Sequence, residues 1–463
     1  MYWNIFPVTG RILLAAIMKL THLLTIALAS LTATVSAQVK LITLDPGHFH
    51  AALVQKTMLP GVDAQVYVYA PKGADVQSHL DKIASYNSRK DDAAHWDETV
   101  YLGDDFFERM ISEKKGNVVV MAGNNHKKTE YIKKSIDAGF NVLGDKPMAI
   151  DAAHFLMLKN AFTNAANKKL VLYDIMTERY EITNALQREF ASLPAVFGTL
   201  KKGTAQHPGV EMESIHYFYK YVSGSVLTRP AWFFDVSQEG EGLQDVGVHL
   251  VDLVQWECFP GRVIDYKKDI QLINAKRWTS DVSLSQFKAI TNQDFPGYLR
   301  KNIEHDTLLK VYANGSVNYK LFGVNVKVTA KWAYKAVAGG DSQYAVIHGT
   351  KADLIVKQGA AENYSPVLYV QPAINNAAYE SSLQENLKTI QAKYPGIELR
   401  REGSGYTVII PAKYNDGHEA HFGRVTEKYL TYLHDNSMPK WEVPNMIAKY
   451  YVTTSALDLA KKK

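Results

Sequence analysis

The stretch Val39-Lys40-Leu41-Ile42-Thr43-Leu44-Asp45-Pro46-Gly47-His48-Phe49-His50-Ala51-Ala52-Leu53-Val54 decides the fold. Its first six residues form a β-rich run, Asp45-Pro46-Gly47 ends that run, and Ala51 to Val54 can open a helix. The implied order is strand, turn, helix. Moving outward, Ala64 to Ala70 is rich in Val and Tyr, and Asn117 to Ala122 is apolar after its first residue. Continuous apolar strands of this kind suit a parallel sheet covered on both faces. Thr129 to Ala138 carries a helical pattern closed by Gly139, and the strand Asn141 to Leu143 follows. Another helix opens at Asp151, and Leu170 to Tyr173 reads as the last strand. Alternating strands and helices predict a doubly wound α/β domain with a parallel sheet over residues 38–177.

Beyond that boundary the pattern changes. Ile215 to Val222, Thr307 to Val311, Val317 to Leu321, Val324 to Trp332 and Ala345 to His348 alternate residue by residue, joined by turns such as Asn314-Gly315. They predict a largely antiparallel sheet, so residues 178–463 read as an α+β domain with two helices between Gly423 and Lys463. Ahead of Val39, Met18-Lys19 precedes an apolar run from Leu20 to Leu31, and Val35-Ser36-Ala37 stands before Gln38. A basic start, a short apolar core and small residues before the cut are the parts of a secretory leader over residues 1–37, with Met18 as an alternative start. That core is shorter than the roughly 20 residues that span a bilayer. The expectation is export to a periplasm, with no membrane span once the leader is removed.

The length of 463 residues suits two domains, and 46% hydrophobic with 21% charged residues excludes general disorder. A net charge of +5, with no dense basic block outside Lys461-Lys462-Lys463, gives no support for a nucleic-acid partner. Cys258 is the single cysteine, which excludes an internal disulfide and a multi-cysteine metal site.

Three segments carry candidate chemistry. Asp45-Pro46-Gly47-His48-Phe49-His50 stands where a dinucleotide-binding domain places its GxGxxG loop, and only the middle glycine, Gly47, is present. His48 and His50 also form an HxH pair that on a strand would aim both imidazoles at one metal. Without a further ligand the pair is assigned to helix capping and solvent, and no metal is expected. Asp145-Lys146-Pro147 puts a lysine at the carboxyl end of a parallel strand, where open α/β sheets bind ligands. Pro147 restricts the backbone before it and permits a cis peptide. If Asp245 onward is helical, then Asp245, His249 and Asp252 share one face, where a carboxylate can orient an imidazole as general base. Each segment also has a plain structural reading: a strand-to-helix turn, a solvated turn, and a helix with an N-terminal aspartate and a buried histidine.

Taken in this order, the segments resemble the glucose-fructose oxidoreductase and inositol dehydrogenase family, Gfo/Idh/MocA. In that family a Rossmann domain ends its fifth strand in Glu-Lys-Pro, and the second domain carries a Gly-rich stretch followed by D-x-G-x-H-x-x-D. Asp145-Lys146-Pro147 is similar to the first, with Asp for Glu, and Asp245-Val246-Gly247-Val248-His249-Leu250-Val251-Asp252 matches the second throughout. Asn125 resembles the asparagine after the fourth strand, and Arg229-Pro230-Ala231-Trp232 resembles the approach to the catalytic helix. The likeness runs from Val39 to Phe259; beyond it the chain resembles the C-terminal domain of exported bacterial relatives.

The resemblance implies an NAD(P)-dependent oxidoreductase that moves a hydride between a nicotinamide cofactor and a hydroxyl-bearing carbon of a sugar or glycoside, the 3-hydroxyl being the narrower expectation. It implies that Gly47, His48, Phe49, His50, Asn125, Asp145, Lys146 and Pro147 face the cofactor, and that Lys146, Trp232, Asp245 and His249 face the substrate. Lys146 would contact the nicotinamide ribose and substrate oxygen, His249 would exchange the hydroxyl proton, and Asp245 would bind substrate hydroxyls and orient His249. Tyr217, Tyr219, Tyr221, Trp232 and Trp332 can stack on sugar rings. Asp45 and His50 replace two of the motif's glycines, and Ala70-Pro71-Lys72 stands where an acidic ribose clamp is usual, so NADP is kept beside NAD. Export would require a tightly bound cofactor, recycled between two substrates. Other readings are an NAD-dependent glycosidase working by oxidation and elimination, a metal-dependent hydrolase using His48, His50, His418 and His421, and a noncatalytic carbohydrate-binding relative. Homo-oligomerisation is left open.

Overall fold

β1 (Leu41–Leu44) is buried along its whole length, as a continuous apolar run requires of a central strand. With β2 (Gln65–Ala70), β3 (Asp97–Leu102), β4 (Val118–Met121), β5 (Asn141–Asp145) and β6 (Leu172–Ile175) it forms a six-stranded sheet in the order β3-β2-β1-β4-β5-β6. Every pairing is parallel. The order reverses between β1 and β4, so the carboxyl ends of β1, β4 and β5 open onto one crevice. Helices Ala74–Asn87, Phe106–Glu113, Lys128–Ala138 and Ala152–Lys168 link the strands, and Gly139 closes the third of them at φ +95°. β3 went unmarked by the apolar pattern because it is the sheet edge and has no fully buried side chain. This computed structural model describes Met1 and residues 39–222, 225–336 and 340–462; beyond Met1, the leader expected over 1–37 lies outside the described residues.

β7 (Val210–Tyr219) belongs to a second, ten-stranded sheet that includes Ile270–Ser283, Leu308–Leu321, Val324–Lys335, Ser342–His348, Ala352–Gln358 and Val367–Pro372. Among the described residues, β7 and Val324–Lys335 are its one parallel pair, and the remaining ladders are antiparallel. The expected turn at Asn314-Gly315 is absent, because Leu308–Leu321 runs through it as one strand. Gly315 serves packing instead: a Cβ there would come within 2.7 Å of Leu243 Cγ. Asn314 bonds inside the sheet, with Nδ2 donating to Ser280 Oγ at 2.8 Å and Oδ1 accepting from the Trp332 N–H at 2.8 Å.

The helices that shape the crevice are α1 (His50–Leu53), α2 (Gly242–Asp245), α3 (Gly247–Cys258), α4 (His418–Asp435) and α5 (Glu442–Lys461). Phe422, Val425 and Tyr429 of α4, and Met446 and Tyr450 of α5, are buried in the same core as β1, β4 and β5. The end of the chain therefore covers the first sheet. Behind the crevice a buried ion network joins the parts. Arg179 donates to Asp252 at 2.6 and 2.7 Å and to Glu442 at 3.1 Å, while Lys449 Nζ reaches Asp252 at 2.8 Å and Asp174 at 2.7 Å. Among the described residues no helix is long and apolar enough to cross a membrane.

Candidate active site

Lys146 follows β5 directly, and the Lys146–Pro147 peptide is cis. Lys146 Nζ donates to Asp245 Oδ1 at 2.6 Å, which ties the carboxyl end of β5 to α2. The Gly-rich stretch explains how Asp245 arrives there. A Cβ on Gly242 would come within 2.0 Å of the Ala313 carbonyl oxygen, so only glycine lets α2 settle onto the second sheet. Glu241 anchors the start of α2 through Arg277, at 2.7 and 2.8 Å. His249 lies in the first turn of α3 and lines, with Lys146 and Asp245, a cavity of about 790 Å³.

The bonding within this trio differs from the expectation. α2 ends at Asp245 and α3 begins at Gly247, with Val246 between them still in the right-handed helical region, and Asp245 and His249 both line the cavity. Among the described residues no hydrogen bond joins Asp245 to His249, and His249 Nδ1 has no partner. Asp252 is committed to Arg179 and Lys449. Burial drives His249 well below the usual histidine range and the Lys146 charge adds to it, against Asp252, so the ring is neutral near pH 7. For Lys146 burial opposes the charge, but Asp245, Asp145 and Glu239 outweigh it and raise its pKa, so it remains an ammonium.

Other expected residues take different places. Tyr217, Tyr219, Tyr221 and Trp332 line the cavity, whereas Trp232 lies against Gly47 with its Nε1 donating to Asp75 Oδ2 at 2.8 Å. Asn125 is occupied inside the protein: its Nδ2 donates to the Glu239 carbonyl at 2.8 Å and to Glu239 Oε2 at 3.1 Å, and its Oδ1 accepts from Lys128 Nζ. It fixes the loop after β4 to the segment approaching α2. His48 Nδ1 accepts from the backbone N–H of His50 at 3.4 Å, so one histidine does cap the start of α1, whereas His50 is buried rather than solvated, because α4 covers α1 and sets Phe422 4.5 Å from its ring. His50 Nδ1 is 2.9 Å from Asp145 Oδ2. His418 lines the same cavity, and His421 pairs with Asp416 at 3.2 Å.

Sequence reasoning passed over Glu178, His216, Lys220 and Asp341, which also line the cavity. Asp341 holds Lys220 at 2.9 Å and His216 at 3.2 Å, partners that only folding brings together. Burial, with Glu181 and Asp341 adding, pushes Glu178 up to about 7.

The crevice can be compared with the nicotinamide dinucleotide that the family resemblance implies. Asp45 holds φ +46°, so the turn that the motif's first glycine permits is made by an aspartate. Gly47 cannot carry a side chain without contact: a Cβ would stand 3.0 Å from Asp75 Oδ2 and 3.2 Å from Trp232 Cζ2. A cleft of about 170 Å³ past Gly47, Asp75 and Lys82 meets the larger cavity at His48, Phe49 and Arg229. These residues fit the group: the Gly47 backbone, Lys82 and Arg229 would take its diphosphate side, and Lys146 and Asp245 its nicotinamide side. Burial and the Asp75 charge push Asp45 up to about 6, against Lys127 and Lys128, so a carboxyl that titrates near neutrality stands beside that seat.

Solved structures of similar fold include a "putative oxidoreductase" from Thermotoga maritima, 12% identical, covering 91% of this chain and 98% of that one, TM-score 0.58. Another is levoglucosan dehydrogenase in complex with NADH and L-sorbose, 12% identical, covering 92% of this chain and 97% of that one, TM-score 0.59. At such identities the likeness is one of fold alone. A far nearer structure is a "putative oxidoreductase" from Parabacteroides merdae, 53% identical, covering 92% of this chain and 98% of that one, TM-score 0.90. Residues 186–461 match the family described as "Putative oxidoreductase C terminal domain". The chain belongs to this family and is an oxidoreductase of the Gfo/Idh/MocA type. The comparison with curated proteins returned no match.

Proposed function

We propose that this oxidoreductase is nicotinamide-dependent and moves a hydride to or from a hydroxyl-bearing carbon of a sugar or related polyol, with Lys146, Asp245 and His249 as its reaction centre. The observation that carries this is the 2.6 Å Lys146–Asp245 pair at the crevice where the strand order reverses, with a neutral His249 in the same cavity. When bound, the nicotinamide ring supplies the hydride acceptor or donor. Asp245 fixes the direction of the Lys146 ammonium, which then offers its remaining N–H groups to the substrate oxygen. As that carbon gains carbonyl character its hydroxyl must lose a proton, and His249 is the neutral base within the cavity. The solved levoglucosan dehydrogenase complexes hold NADH with levoglucosan or with L-sorbose, which supports a sugar as the substrate class.

The finer form of the proposal is a glycoside oxidised at its 3-hydroxyl, with NAD preferred to NADP and retained tightly. Residues 38–177 act as the cofactor domain and 178–463 as the substrate domain, in a protein exported after cleavage between Ala37 and Gln38. His249→Ala and Lys146→Ala are each expected to lower kcat at least about 100-fold. Circular dichroism checks that both variants fold, and near-wild-type turnover in a folded variant removes that residue from the reaction centre.

A further inference from the structure

The HxH pair after β1 lacked a third ligand in the sequence, and the last residue of β5 supplies one. Nδ1 of His50 is 2.9 Å and Nδ1 of His48 is 3.7 Å from the same oxygen, Asp145 Oδ2. One ligand atom from each of the three residues lies within 4.8 Å of the other two. Ligands at roughly 2.0–2.2 Å from a tetrahedral ion stand about 3.4 Å apart. The two observed separations, both to Oδ2, bracket that value, and the 2.9 Å one is a hydrogen bond that the ion would replace.

Asp145 also has an unmet need. Its other oxygen, Oδ1, is buried with no hydrogen-bond partner among the described residues. A buried acceptor left so is destabilising, and more so when it is charged. The nearby lysines do not answer it. Lys146 Nζ is given to Asp245, and Lys128 Nζ goes to Asn125 Oδ1 and to the backbone carbonyl of Asp145 rather than to its carboxylate. The imidazoles are held in place by packing, with ring centroids 4.0 Å apart and Phe422 4.5 Å from His50.

We propose that His48, His50 and Asp145 bind one divalent transition cation of the zinc type, with an open coordination position that takes an oxygen ligand from the cavity. Two imidazoles and one carboxylate leave the fourth tetrahedral position free, which is the donor pattern of catalytic rather than structural zinc. His48 and His50 line the cavity with Lys146, Asp245 and His249, so the incoming oxygen is a hydroxyl or carbonyl of the cavity's occupant, or water. The site is defined by binding and stands apart from the redox proposal.

The test is titration of chelator-dialysed protein with Zn²⁺ by calorimetry and with Co²⁺ by visible absorption. One ion per chain is expected, with affinity at least about 100-fold weaker in His50→Ala and in Asp145→Asn. His421→Ala, whose imidazole is paired with Asp416, should bind as wild type does. If Asp145→Asn fails to fold, His48→Ala carries the same expectation, with far-UV circular dichroism as the check. Azide should shift the visible bands of the Co²⁺ form. Binding well below one ion per chain, undiminished binding by folded His50→Ala, or bands unmoved by azide would overturn the proposal.

Discussion

Asp252→Asn removes one charge at a place where neighbouring groups have little room to rearrange. Asp252 is 2% exposed and accepts from Arg179 Nε at 2.6 Å, Arg179 Nη2 at 2.7 Å and Lys449 Nζ at 2.8 Å. The network sets Arg179 and Lys449 against Asp252, Asp174 and Glu442. Without the Asp252 charge, two cations still face two carboxylates, so no unpaired charge is stranded. What is lost is charge assistance, worth about 1.5–3 kcal/mol for each bond: an amide oxygen in the Oδ1 place can still accept from Arg179 Nη2 and Lys449 Nζ, and the bond from Arg179 Nε is the one lost. The expected cost at pH 7 is about 1.5–3 kcal/mol, that of the charge-assisted hydrogen bond the amide cannot restore. Urea unfolding followed by tryptophan fluorescence reads it. Although burial opposes it, Arg179 and Lys449 hold the Asp252 carboxyl well below the usual carboxylate range. A depressed pKa contributes stability that is present above the unfolded value of about 4 and is lost as pH falls below it. The difference between variant and wild type should therefore narrow in acid. Asp252 does not line the cavity, so the folded variant should keep kcat within about tenfold of wild type. A cost under about 1 kcal/mol, or a folded variant slowed about 100-fold, would refute the assignment of Asp252 to the framework.

Two further outcomes concern the cofactor seat. Gly47→Ala places a methyl 3.0 Å from Asp75 Oδ2 and 3.2 Å from Trp232 Cζ2. NADH binding, followed by fluorescence, should weaken at least about tenfold, and unchanged affinity would move the diphosphate seat away from Gly47. Asp45, pushed up to about 6 by burial and by Asp75, gains its charge as pH rises through that value. Dinucleotide affinity should fall as pH rises from about 5 to about 7, because the ionised carboxylate repels the diphosphate. Asp45→Asn, which tolerates the same positive φ, should flatten that slope; a slope equal to wild type would place the titrating group elsewhere.

The first sheet was legible because its central strands are continuous apolar runs, and Lys146 was legible because Pro147 marks the end of β5. What escaped the sequence has specific physical reasons. β3 lies at the edge and needs no apolar run. Asn314-Gly315 has the composition of a turn, but the absence of a side chain is used there for contact with Leu243. Spacing placed Asp252 beside His249, yet Arg179 and Lys449 settle its partners, and spacing along one segment carries no record of them. The same holds for His48 and His50, whose carboxylate partner stands 95 positions beyond His50 in the chain. Trp232 was read as a substrate residue from its motif, and its indole instead bonds Asp75 beside Gly47.

Hydride transfer at the Lys146–Asp245–His249 centre is tested most directly by turnover with a ring-deuterated glycoside, followed by mass spectrometry of the nucleotide freed on denaturation. A nicotinamide dinucleotide carrying one transferred deuterium, with the label missing in His249→Ala, is the expected result. Release of no nucleotide, or of nucleotide that stays unlabelled while the glycoside is consumed, would contradict it.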